Sequence, residues 1–228
     1  MVSGHERNLW GDYDMTIHIC GDSTAATYKP EQAPITGWGQ VIGEMLPEAT
    51  FVNHSIGGRS SKSFLSEGRF ITVEKALEKG DIVLIQFGHN DGSDLVWRHT
   101  DADTSFVNNL CIFVDTARQH GAIPVLLTHT PCRWWRDGVL PGHPGGYAPA
   151  TRRLAMQRSV PLIDVLAVGE QAIRDMGEEA SKGLFMNVEP GLYPAYPNGS
   201  KDNTHTQRAG AELFARIVAD GLKQLGLI

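Results

Sequence analysis

The stretch ICGDSTAATY, residues 19–28, brings an apolar, strand-like run to an end on Gly21-Asp22-Ser23, and so places a hydroxyl where a chain ordinarily puts an inert turn former. The run that feeds it, MTIHIC at 15–20, is the first of five strand-length apolar stretches. The others are TFVNHSI at 50–56, DIVLIQFG at 81–88, IPVLLTH at 123–129 and VPLIDV at 160–165. They are β-branched and nearly continuous rather than alternating, as expected of strands whose sheet is covered on both faces. Amphipathic stretches between and after them predict helices over 37–46, 61–80, 105–121, 148–159 and 206–226. Strands alternating with helices predict an α/β protein, a three-layer α/β/α sandwich around a five-stranded parallel sheet. The chain of 228 residues holds no Pro/Gly/Ser linker, repeat or low-complexity segment. One domain over 1–228 is expected, with residues 1–14 as an N-terminal extension.

Composition removes several function classes. A net charge of -6 without long charged blocks gives no footprint for nucleic acid or a membrane surface, and leaves uncharged polar or carbohydrate substrates open. Cys20, Cys111 and Cys132 are too few and too scattered for a disulfide framework or a CxxC metal site, so free thiols in a reducing compartment are expected. The first residues, MVSGHERNLWGDYD, hold no apolar signal core, and no stretch approaches the ~20 apolar residues of a membrane span. A cytoplasmic location is expected unless a leader has been removed.

In a doubly wound sheet the ligand crevice lies beyond the carboxyl ends of the strands, which selects the loops to inspect. The first strand ends in GDST, the second in GGRSSKS, the third in GHNDGS and the fourth in THTPCRWW, while the loop before the last helix carries DNTH. Each has an ordinary reading. Ser23 alone would be a turn former or helix cap, and Asp202 could cap the last helix unless Thr204 or Thr206 does so. GGRSSKS suggests a phosphate loop, but Ser61 stands where GxxxxGK[ST] needs its second glycine. His89, Asp91, His99, Asp101 and His205 lack the helical pairing of a metal site, and Cys20 reads as a core residue.

Four blocks in order, Gly21-Asp22-Ser23, Gly57-Gly58-Arg59-Ser60, Gly88-His89-Asn90-Asp91 and Asp202-Asn203-Thr204-His205, resemble the SGNH (GDSL-like) hydrolases. With GWGQ at 37–40, SSKSF at 60–64 and QFGHND at 86–91, the chain is similar within them to the rhamnogalacturonan acetylesterase-like carbohydrate esterases, from about residue 15 to its end. The resemblance implies the flavodoxin-like version of the fold. It also implies Ser23 as nucleophile, His205 as general base, Asp202 as the residue that orients the imidazole, and an oxyanion hole of the Ser23 and Gly58 backbone N–H groups with the Asn90 side chain. The chemistry is consistent. A serine hydroxyl needs an adjacent base and the base an orienting partner, and residues three apart can share one face of a turn. A glycine lets a backbone N–H approach an oxyanion unobstructed. The implied activity is removal of acetyl groups from pectin- or xylan-derived oligosaccharides through an acetyl-enzyme, with no cofactor and no metal. A different ester specificity on the same residues, or a non-catalytic carbohydrate-binding module, is the alternative. Arg59 and Lys62 are candidates for holding an acidic sugar or are solvated helix-start residues. Trp134 and Trp135 are candidates for stacking on sugar rings or pack against their neighbours.

Overall fold

The structure, a computed structural model, describes residues 15–142 and 145–228, so the expected extension at 1–14 lies outside the described residues. The elements in chain order are β1 (Thr16–Gly21), α1 (Trp38–Val41), β2 (Thr50–Asn53), α2 (Ser61–Ser66), α3 (Arg69–Glu74), β3 (Ile82–Gln86) and α4 (Ser105–Gln119). They continue with β4 (Ile123–Leu127), α5 (Tyr147–Arg158), β5 (Leu162–Ile163), α6 (Val165–Met176), β6 (Phe185–Val188), β7 (Ser200–Thr206) and α7 (Arg208–Gln224). Five strands pair in parallel in the order β2-β1-β3-β4-β5. This is the flavodoxin-like order, in which the chain winds one way from β1 to β2 and the other way from β3 onward. The carboxyl ends of β1 and β3 therefore flank the switch point where such sheets bind ligands.

The two sheet faces carry separate cores, as the strand patterns require. Ile17, Ile19, Ile82, Leu84, Val125 and Leu127 pack against Trp38, Ile173, Phe214 and Val218 from α1, α6 and α7. Cys20, Val83, Ile85 and Leu126 point the other way, into Phe64, Phe70, Phe113 and Leu154 from α2 to α5. Each such side chain contributes about 1.5–3 kcal/mol by leaving water. Cys20 is fully buried among these residues, as a core cysteine.

Several expected boundaries shift for identifiable reasons. The helix expected over 61–80 is two short helices, because Gly68 adopts a left-handed conformation (φ 71°) and turns the chain between them. That turn lets Phe64 and Phe70 both reach Phe113, at ring separations of 5.9 and 4.4 Å. The helix expected over 37–46 is a single α turn followed by a 3-10 turn at Ile42–Glu44. Strand β5 stops at Ile163 because Asp164 caps α6, accepting from Ala167 N–H. Helix α6 and the antiparallel pair β6/β7 were not expected, and DNTH sits in β7 rather than in a loop. Helix α7 starts after Gln207 with no side-chain cap, so neither Asp202, Thr204 nor Thr206 caps it.

Candidate active site

The Ser23 turn rests on a buried chain of hydrogen bonds. Trp38 Nε1 donates to Gln86 Oε1 (2.5 Å), Gln86 Nε2 to Thr24 Oγ1 (2.7 Å), and Thr24 Oγ1 and N–H to Asp22 Oδ1 (2.8 and 2.9 Å). Tyr28 donates its hydroxyl to the Ser23 carbonyl at 2.7 Å. Asp22 is fully buried; burial pushes its carboxyl up, against the Thr24 bonds and the nearby His205. The backbone around Ser23 is thus fixed while its hydroxyl faces the crevice.

His205 reaches that hydroxyl through a break in strand geometry. Residues three apart on a regular strand face opposite sides. In β7, however, Lys201 pairs with Asn187 and Thr206 with Phe185, so residues 202–205 bulge opposite the single residue Met186. Inside the bulge Asp202 Oδ1 accepts the N–H groups of Thr204 (2.7 Å) and His205 (3.1 Å), which curls the chain back on itself. Asp202 Oδ2 then lies 2.6 Å from His205 Nδ1, and His205 Nε2 lies 2.8 Å from Ser23 Oγ. With the proton on Nδ1 held by the carboxylate, the Nε2 lone pair accepts the serine hydroxyl. Arg133, 5% exposed, braces the bulge from behind, donating its N–H to Asn203 O (2.8 Å) and Nε–H to Ser181 Oγ (3.0 Å).

The electrostatics follow. The Asp202 hydrogen bond raises the His205 pKa above its ordinary value, more than burial lowers it. Burial by itself would lift Asp202, but the bonds from His205 and the Thr204 and His205 N–H groups outweigh it and hold the carboxyl below its usual range.

The loops after β2 and β3 form the opposite wall. Gly58 has φ 77°, a conformation that disfavours any side chain, and so presents an unobstructed backbone. Asn90 donates one Nδ2–H to Arg59 O (3.0 Å) and accepts at Oδ1 from Arg98 Nη1 (2.9 Å). Beneath both loops, the fully buried Asp91 accepts from Ser61 Oγ (2.5 Å), Gly88 N–H (3.1 Å) and Thr100 Oγ1 (3.1 Å). Burial pushes its carboxyl up to about 6, against the hydrogen bonds from Ser61 and Thr100.

A cavity of about 950 Å³ opens between these walls, lined among others by Ser23, Gly58, Asn90, Arg98, Trp134 and His205. Trp134 is 39% exposed there. Its neighbour Trp135 is partly buried and packs against the core, the second of the two placements left open for this pair. Arg59, another candidate sugar contact, is held by its own loop. Its Nε pairs with Glu67 (3.1 Å) and its Nη1 donates to Gly57 O (2.9 Å), and it is not among the residues lining the cavity. Lys62 donates to Val96 O at 2.7 Å, in a six-residue helix capped by Ser60. Cys132 lines the cavity 3.5 Å from Thr204 Oγ1, and burial pushes its thiol up to about 12, so it stays protonated. Among the described residues no group of three or more His, Cys, Asp or Glu is placed to hold a metal, and no helix is long and apolar enough to cross a membrane. Arg98, Arg133 and the bracing role of Asp91 were not anticipated. Asp91 belongs to the GHND block and Arg133 to the THTPCRWW stretch, while Arg98 belongs to no motif.

A flavodoxin-like sheet with a serine, a histidine and an aspartate in hydrogen-bonded sequence at its switch point defines a hydrolase of the serine type. The GDSL-like lipase/acylhydrolase family matches residues 19–220, and the chain belongs to this family, whose members hydrolyse carboxylic esters. Among its relatives is the rhamnogalacturonan acetylesterase RhgT of Bacillus subtilis, 40% identical over 92% of this chain and 90% of that protein. The probable rhamnogalacturonan acetylesterase YesY of the same organism is 35% identical over 92% of this chain and 94% of that one. Of solved structures, B. subtilis YxiM superposes with a TM-score of 0.77 at 25% identity, over 94% of this chain and 57% of that longer one. The acetylxylan esterase Axe2 of Geobacillus stearothermophilus shares the fold, with a TM-score of 0.62 at 17% identity over 91% and 94% of the two chains.

Proposed function

We propose that this protein is a serine esterase that removes acetyl groups from carbohydrate hydroxyls, with Ser23, His205 and Asp202 as its catalytic residues. The observation that carries the reading is the unbroken hydrogen-bond path from Asp202 Oδ2 through His205 to Ser23 Oγ, at 2.6 and 2.8 Å, opening onto the cavity. Ser23 Oγ attacks the acetyl carbonyl carbon as its proton passes to His205 Nε2, and the ionised Asp202 stabilises the imidazolium. The carbonyl oxygen, now an oxyanion, accepts from the N–H groups of Ser23 and Gly58 and from Asn90 Nδ2–H. Collapse breaks the bond to the sugar oxygen, which leaves with the proton from His205. Water, deprotonated by His205, then attacks the acetyl-enzyme, and acetate departs as Ser23 regains its proton.

Acetyl as the acyl group is supported by the two relatives named as acetylesterases. A pectin-derived substrate is favoured by the same names, and acetylated xylo-oligosaccharides are the second candidate. Stacking of Trp134 on a sugar ring belongs to this reading, supported by its exposure on the cavity wall. A cytoplasmic location belongs to it too, supported by three free cysteines. Acetate release from a panel of acetylated pectin- and xylan-derived oligosaccharides, beside a chain-length series of nitrophenyl esters, tests it. Acetate release together with a preference for the shortest acyl chain is the expected result. A preference for long acyl chains with no release from any oligosaccharide would overturn it.

A further inference from the structure

Arg98 is a cation on the cavity wall with no counter-ion: among the described residues no carboxylate lies within ion-pair distance of it. Its contacts are instead with the oxyanion wall. Nη1 donates to Asn90 Oδ1 at 2.9 Å and to Gly58 O at 3.3 Å, which engages both of its hydrogens. Its Nε is buried without a partner, so substrate does not reach it. That leaves no pair of free, accessible nitrogens with which to fork a substrate carboxylate. The loop that carries Arg98 is folded back on Asn90 by bonds from Ser93 N–H to Asn90 O (3.2 Å) and from Thr100 N–H to Asp91 O (2.9 Å). Lys62 anchors its tip at Val96 O (2.7 Å). The Trp97 ring lies 5.3 Å from the guanidinium carbon and holds it by cation–π attraction.

We infer that Arg98 is a positioning residue for the oxyanion pocket, one that sets the Asn90 amide with its N–H toward the cavity and ties it to the Gly58 peptide. An Asn amide is nearly symmetric in shape, and only its partners decide which end faces a ligand. Here Arg98 claims the oxygen end and Arg59 O one of the two hydrogens, which leaves the second N–H for the cavity. Without Arg98 only the single bond to Arg59 O resists a flip, and an amide turned over would aim Oδ1 at the developing oxyanion and repel it. A cation at Oδ1 also draws electron density through the amide and makes the opposite N–H a stronger donor. Lysine keeps the charge but lacks the rigid planar group, set by the Trp97 ring, that fixes Nη1 between its two acceptors.

The inference rests on the proposed role of Asn90, and a double-mutant cycle on 4-nitrophenyl acetate, a small neutral ester, separates the two. Asn90→Ala should lower kcat by roughly a hundredfold to a thousandfold. Arg98→Ala should lower kcat by roughly tenfold to a hundredfold with KM within about twofold, since the effect reaches only the transition state. The double variant should be no slower than Asn90→Ala alone, within about twofold, because Arg98 acts through Asn90. Added guanidinium should speed Arg98→Ala and leave the double variant unchanged. Titration with a fluorophosphonate counts the folded active sites in each preparation. If Arg98→Ala does not fold, Arg98→Lys is read through the same cycle. Additive losses, or a rise in KM at unchanged kcat, would overturn the inference, the latter marking Arg98 as a substrate contact. An unchanged kcat in Asn90→Ala would overturn the reading of Asn90 instead.

Discussion

The two walls of the cavity are built differently. On one, Ser23, His205 and Asp202 are partly exposed and meet through side-chain bonds across a gap of 182 residues in sequence. On the other, Gly58 and Asn90 sit on loops clamped from beneath by Asp91, which is wholly buried and accepts from Ser61, Gly88 and Thr100. In the proposed mechanism the first wall moves protons, which suits groups that are accessible and pKa values that are tuned. The second, as the proposed oxyanion pocket, would hold dipoles still, and the group that orders its loops is buried. Loss of function should therefore be nearly free of stability cost on the first wall and tied to it on the second.

The largest effect is expected at Ser23. Ser23→Ala should lower kcat by on the order of six orders of magnitude while thermal stability stays level or rises, because the hydroxyl shapes no part of the turn that Asp22, Thr24 and Tyr28 hold. A destabilised but active variant would move Ser23 to the structural side of the comparison.

Asp202 comes next. Because its hydrogen bond raises the His205 pKa, the neutral imidazole is depleted below that raised value, and kcat/KM should climb as pH rises through a point above about 6.5. The stability sign is opposite: the pair's contribution is complete below the unfolded pKa of the histidine and is lost as pH rises through the folded one. Asp202→Asn should shift the limb to lower pH and reduce kcat by roughly three to four orders of magnitude. A limb that does not move in this variant would separate the carboxylate from the imidazole.

The smallest effect on chemistry, and the clearest on stability, belongs to the buried wall. Asp91→Asn turns an N–H donor toward groups that themselves donate, at a cost of about 1–3 kcal/mol, or a fall in Tm of roughly 2–12 °C. The folded fraction should still react with a fluorophosphonate. Asp91 titrates near 6 in the folded chain against 3.8 for a free carboxyl, so it makes stability grow as pH falls through that window, and Asp91→Asn should remove that slope. An unchanged Tm would erase the contrast between the walls.

The same contrast explains what could be read in the chain. The strands were legible because continuous apolar runs report two covered faces, and the loops at their ends followed from the parallel topology. The four blocks named the residues that meet. How they meet was not legible: the Asp202–His205 bulge breaks the two-residue period by which strands are recognised, so β7 read as a loop and its partner β6 went unseen. Trp134 and Trp135 read as one feature, yet neighbouring residues on an extended chain point to opposite sides, one to the cavity and one to the core. Arg133 and Arg98 brace the two walls through partners 70 and 8 to 40 residues away, contacts that leave no local pattern.

The central claim is that the acyl group passes through Ser23. Mixing the enzyme with an acetylated substrate, quenching in acid during turnover and mapping the peptides by mass spectrometry tests it directly. The account predicts an acetyl group on the peptide that contains Ser23, absent in Ser23→Ala. Acetylation at another side chain, or continued turnover by Ser23→Ala, would contradict it.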